Sequence, residues 1–283
     1  MESIIWSADV TPAELQAVIS AGVLPTTVGI KLDQQFFASA LSSPLKSKDG
    51  QPKKPSELTP SDLGDLLYFY RLIGAIQEAG YPIFLDWKMS EIPSKAVGIT
   101  QELGFFLPSM LNCMAGSLYT TGIYETNDPK QIDGLRQYAD ACRDLGIDPC
   151  AVTVLTSKDD TKNTGVVFRE FRRRAAEQVL FYAKLLVKAG FTDMVCSAQE
   201  AMIIRKHPEL DQLRLNCPGI RLPDTDVRDQ KRTMTPAKAL RLGVNRLVIG
   251  SNLTDGPEPD IVERVSKNWQ RLVAHIESEV ISR

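Results

Sequence analysis

Ile83-Phe84-Leu85-Asp86-Trp87-Lys88-Met89-Ser90-Glu91-Ile92-Pro93 runs four residues of apolar strand former into an Asp and a Lys two positions apart, with a second carboxylate three further on. In a strand, residues i and i+2 share a face. The reading therefore predicts that Asp86 and Lys88 point the same way from the end of a buried strand. Opposite charges are costly to desolvate there, so stability alone gives little reason to place them together. The competing reading is an ordinary surface ion pair.

Outward from this run the chain alternates. Short apolar runs predict strands at 3–8, 27–31, 82–88, 105–112, 150–155, 194–197, 213–217 and 246–250. Stretches of helical period lie at 12–21, 61–79, 129–145, 166–189, 198–207, 236–242 and 261–282. Thr11-Pro12 and Thr235-Pro236 are helix starts, an N-cap residue followed by proline. Gly22, Gly80 and Gly146 stand where helices stop. Strand–helix alternation implies parallel strands joined by right-handed crossovers. Eight such units favour a closed (β/α)8 barrel, a single-domain fold of about 250 residues, and the chain has 283. Residues 41–58 (LSSPLKSKDGQPKKPSEL) lack apolar period and read as a flexible surface insertion within one domain spanning 1–283.

Composition narrows the chemistry. A net charge of −2 offers no surface for nucleic acid. No apolar run reaches the roughly 20 residues of a membrane span, and the N-terminus lacks a signal-peptide pattern, which predicts a cytoplasmic protein. The five cysteines are scattered without a CxxC pair, so neither a disulfide nor a zinc site is expected. With only two histidines, both in charged helical surroundings, acid–base work falls to Lys, Asp and Glu. In a (β/α)8 barrel the site sits at the C-terminal strand ends. Those ends here carry Asp9, Lys31, Asp86, Lys88, Thr156 and the Gly250 turn. A lysine beside carboxylates keeps its proton and makes a proton donor rather than a nucleophile. That suits protonating a carbanion without a metal or organic cofactor.

Over nearly its full length the chain resembles the orotidine 5′-monophosphate decarboxylase family. The matching motifs, in order, are SADV around Asp9, GIKLDQQFF around Lys31, FLDWKMSEIP, VTVLTS, VCSAQEA, PGIR, DQKRTMTP and LVIGS. The resemblance implies cofactor-independent removal of carbon dioxide from a pyrimidine nucleotide, giving uridine monophosphate. It implies a homodimer whose site holds alternating Lys and Asp, the last acid coming from the second subunit. Carried over, Lys31, Asp86 and Lys88 are the first three members and Glu91 takes the fourth place. Lys88 would protonate ring carbon 6, and Asp86 would lie beside the substrate carboxylate. Asp9 and Lys31 would hold the ribose, Thr156 the pyrimidine, and Arg221, Gln230, Gly250 and Ser251 the phosphate end. Three departures stand out. Glu91 replaces the family's Asp, Ser251 its phosphate-binding Arg, and Cys113 its His. Two further readings stay open: a relative acting on a modified or unphosphorylated pyrimidine nucleoside or nucleotide, and a non-catalytic nucleotide-binding barrel.

Overall fold

Thr11 opens the first helix as its sequence predicts. Its hydroxyl accepts from the Glu14 amide while Glu14 accepts from the Thr11 amide, Pro12 takes the first turn, and Gly22 closes the helix at φ 61°. The computed structural model describes residues 2–42, 46, 53, 55–57, 59–118, 132–158, 160–161, 166–171, 173–223 and 232–281. The strands are β1 (Ile4–Ser7), β2 (Gly29–Asp33), β3 (Ile83–Met89), β4 (Met110–Met114), β5 (Asp148–Val152), β6 (Asp193–Val195), β7 (Arg214–Cys217) and β8 (Arg246–Ile249). All pairings are parallel, and the sheet closes where Ile4 pairs with Leu247. The helices are α1 (Pro12–Ala21), α2 (Gln34–Ser42), α3 (Pro60–Glu78), α4 (Pro93–Leu103), α5 (Asp133–Asp144), α6 (Val166–Phe171), α7 (Ala175–Ala189), α8 (Ala198–Ile204), α9 (Pro236–Arg241), α10 (Ser251–Thr254) and α11 (Ile261–Ile281). The molecule is a (β/α)8 barrel.

The inside of the barrel is layered by the two-residue period of its strands. At the N-terminal ends Asp193 is fully buried. It accepts from Arg246 at 2.5 Å, Arg214 at 2.6 Å and Asn216 at 3.0 Å. Above this charged floor Ile5, Phe84, Met110, Cys150 and Val248 form an apolar layer, with Val195 against it. Two residues further along the same strands come Ser7, Asp86, Asn112, Val152 and Gly250. The polar mouth is thus the next inward layer of a barrel that is apolar one step below. A larger apolar core, including Trp6, Leu32, Leu85 and Leu111, lies between strands and helices.

Several expectations need correction. The fourth strand begins at Met110, because Gly104–Phe106 forms a 3-10 turn and Phe105 and Leu107 are exposed. The helix expected over 166–189 is two, α7 starting afresh where the Ala175 amide donates to Asp160. The helices α2, α4 and α10 lacked a clear signal. Within 41–58 only Leu41, Ser42, Lys46, Lys53 and Pro55–Glu57 are described, the last as a 3-10 turn, so the expected insertion lies mostly outside the described residues. Among the described residues no helix is long and apolar enough to cross a membrane. All five cysteines are buried and unbridged.

Candidate active site

A cleft of about 380 Å³ opens at the C-terminal ends of the strands. Asp9, Lys31, Asp86, Lys88, Thr156, Arg221, Gly250 and Ser251 all line it, as the sequence predicts. Its apolar wall comes from Phe84, Val152, Val154, Val195 and Val248. A planar, partly apolar ring fits such a wall, with charge placed at defined points of the rim.

Asp86 is the hub. Its Oδ2 accepts from Lys31 Nζ at 3.0 Å and from Lys88 Nζ at 2.7 Å, while its Oδ1 accepts from Asn112 at 2.7 Å. Burial opposes its charge, yet the two lysines and the hydrogen bonds from Lys88 and Asn112 hold its pKa down to about 2. Lys31 is equally buried. Desolvation works against its charge, but Asp86, Asp9 and Asp33 together raise its pKa above the usual lysine value. Lys88 reaches the cleft from a more open position, its side chain 41 % exposed against 9 % for Lys31. Asp9 stands at the exposed rim, where desolvation still outweighs Lys31 and raises its pKa; Ser7 donates to both of its oxygens at 3.1 Å. A Cβ at position 250 would come within 3.0 Å of Asp9 Oδ2, so glycine there lets the β8 turn close over that carboxylate.

Asp86 and Lys88 meet by a different route from simple strand alternation. Leu85 pairs with Leu111 but Met89 with Cys113, so three residues of β3 oppose one of β4. Lys88 takes the left-handed conformation, φ 48°. For a residue with a long side chain that costs on the order of 1–2 kcal/mol. The bulge aims the ammonium back at Asp86.

The predicted set is not all found at the cleft. Glu91 is exposed in the turn after β3 and does not line its own cleft. Gln230 lies outside the described residues. The sequence reading missed two features. Asn112 is fully buried, and its only signal was a polar residue inside the apolar run Met110–Met114. Glu200 and Arg232 form a buried ion pair linking two of the motifs. Arg232 donates at 3.2 Å to the carbonyls of Val154 and Leu155, fastening the loop that carries Thr156. Burial raises the Glu200 carboxyl to about 7 despite Arg232, and its Oε2 has no hydrogen-bond partner.

Comparison with known proteins identifies the family and the fold. The sequence model of the Orotidine 5'-phosphate decarboxylase / HUMPS family matches residues 61–262. The orotidine 5'-phosphate decarboxylase of Tolumonas auensis is 31% identical over 224 residues, covering 74% of this chain and 88% of that protein. That of Pseudoalteromonas translucida is 36% identical over 64% of this chain and 72% of its own length. The crystal structure of orotidine 5'-phosphate decarboxylase from Lactobacillus acidophilus superposes with a TM-score of 0.63 at 20% identity, covering 96% of this chain and 99% of that one, a likeness of fold.

Proposed function

The chain belongs to the Orotidine 5'-phosphate decarboxylase / HUMPS family, and on that premise we propose that it converts orotidine 5′-phosphate to uridine 5′-monophosphate and carbon dioxide. The observation that carries this reading is the single carboxylate oxygen of Asp86 shared by two ammonium groups at the cleft mouth. The bond between ring carbon 6 and the carboxylate breaks, carbon dioxide leaves, and the electron pair stays on carbon 6. Lys88 delivers a proton to that carbon and recovers one from water. Nothing is oxidised or reduced, and the ammonium groups beside carbon 6 supply both the stabilising charge and the proton, so the reading assigns no cofactor. Asp86, kept ionised by its lysines, sits beside the substrate carboxylate. Like charges repel in the ground state, and that repulsion is relieved as carbon dioxide departs. Lys31 holds Asp86 in place and, with Asp9, binds the ribose hydroxyls.

Thr156 meets the pyrimidine, while Arg221, Gln230, Gly250 and Ser251 border the phosphate. Glu91 reaches the cleft of a second copy in a homodimer, which accounts for its exposure in a single chain. Mixing inactive Lys88→Ala and Glu91→Ala proteins then restores turnover in the heterodimer. No recovery on mixing excludes the shared site.

The main test follows the fall in orotate absorbance as substrate is consumed. The unmutated protein turns over and Lys88→Ala does not; absence of turnover by the unmutated protein overturns the reading. Ser251 supports a second one. With serine at the place of the family's arginine, a charge-assisted grip on phosphate is missing at that turn. A substrate without phosphate fits that change. Faster turnover of orotidine than of its 5′-phosphate would favour it.

A further inference from the structure

We propose that Asn112 is a positioning residue for proton delivery, holding Lys88 and Asp86 in the one arrangement that lets them share a proton donor site. The inference rests on the decarboxylase reading and adds to it a residue outside the Lys–Asp array. Three observations meet at this side chain. The β3–β4 ladder slips between Leu85 and Met89, so the Lys88 amide has lost its regular partner on β4. Asn112 Oδ1 accepts that amide at 2.6 Å. Its Nδ2 donates to Asp86 Oδ1 at 2.7 Å, on the oxygen that the lysines leave unused. The amide's orientation follows from its neighbours, since a backbone N–H must meet oxygen and an ionised carboxylate must meet NH2.

Asn112 therefore replaces the missing rung of the ladder with a side-chain amide. Its own position is secured: it lies fully buried in β4, two residues beyond the interior Met110. The left-handed backbone of Lys88 is unfavourable for a lysine and persists only while something over-determines it. One hydrogen bond from Asn112 holds the Lys88 backbone and the other sets the rotation of the Asp86 carboxylate. The Nζ to Oδ2 distance follows from both. Serine at 112 reaches neither group. Aspartate keeps an oxygen for the Lys88 amide but turns a second carboxylate toward Asp86.

The experiment compares Asn112→Ser and Asn112→Asp with the unmutated protein in the full chain. A hydrogen bond to a charged group is worth enough that kcat should drop at least about tenfold in each variant, with KM for orotidine 5′-phosphate within about threefold. Carbon-13 NMR of aspartate-labelled protein, with Asp86→Asn to assign the signal, should show Asp86 titrating at higher pH in Asn112→Asp. A merely structural asparagine would lower the melting temperature of both variants and leave kcat of the folded protein unchanged. The inference is overturned by a folded Asn112→Ser protein that keeps kcat within about threefold, or by an unmoved Asp86 titration in Asn112→Asp. Should the unmutated protein release no carbon dioxide, the functional reading falls and the role in proton delivery falls with it, whereas turnover that survives in Asn112→Ser overturns this inference alone.

Discussion

Replacing Asp86 by asparagine removes a charge while keeping the shape, and so measures what the ion cluster does for the fold. Burial by itself would raise this carboxyl. Lys31 and Lys88, with hydrogen bonds from Lys88 and Asn112, instead bring it from 3.8 to about 2. A depression of that size corresponds to about 2.5 kcal/mol in favour of the ionised folded state. Because the folded value lies below the unfolded one, the contribution is fully present above 3.8 and is lost as pH falls through about 2. Asp86→Asn resembles the protonated form at every pH. At neutral pH it should unfold about 2.5 kcal/mol more easily, equivalent to a melting temperature lower by roughly 5–10 °C for a chain of this size. Urea denaturation at a series of pH values gives the difference directly, provided the two proteins share one m value. The gap should hold steady from about pH 7 to pH 5 and then narrow as the unmutated protein loses its advantage. A gap that stays constant down to about pH 3, or a variant more stable at neutral pH, would refute the reasoning.

Asp193→Ala strips the counter-charge from Arg246 on the barrel floor, so stability should fall by about 3–5 kcal/mol; urea denaturation showing a loss under about 1 kcal/mol would contradict that. Glu200 has the opposite sign to Asp86. Its folded pKa is raised from 4.5 to about 7, so its stabilising protonated form is fully present below 4.5 and is lost as pH rises through about 7. Glu200→Gln should therefore gain on the unmutated protein between pH 5 and pH 8, by on the order of 3 kcal/mol, and a stability difference independent of pH would sink this assignment. Ser251→Arg should lower KM for orotidine 5′-phosphate by about tenfold through a bidentate phosphate contact. An unchanged KM would mean that the phosphate is held elsewhere.

Much of the frame was legible because it rests on local rules. The capping pair Thr11 and Glu14 and the stop at Gly22 mark α1 at both ends, and each depends on residues a turn apart. The inward layer of Ile5, Phe84 and Val248 follows from strand period, as do the charged strand ends at Asp9, Lys31 and Asp86. What escaped was set by distant partners. Phe105 and Phe106 have strand propensity but form a 3-10 turn, because Phe106 packs on Phe37, Phe69 and Tyr70 instead of entering the sheet. Asn112 gave little warning, since its value depends on a bulge in the neighbouring strand.

The order of apolar runs and helix caps was enough to specify eight parallel units, and the motif string was enough to place the family. Both are written in short-range patterns that survive without the fold. The tertiary structure alone decided how the cluster is joined: one Asp86 oxygen between lysines 57 positions apart in the chain, a slipped ladder that turns Lys88 inward, and an asparagine from β4 that locks both. It also left Glu91 outside its own cleft. Distances between charges on different strands are fixed by barrel closure and register, and neither is encoded in the spacing of residues along one strand.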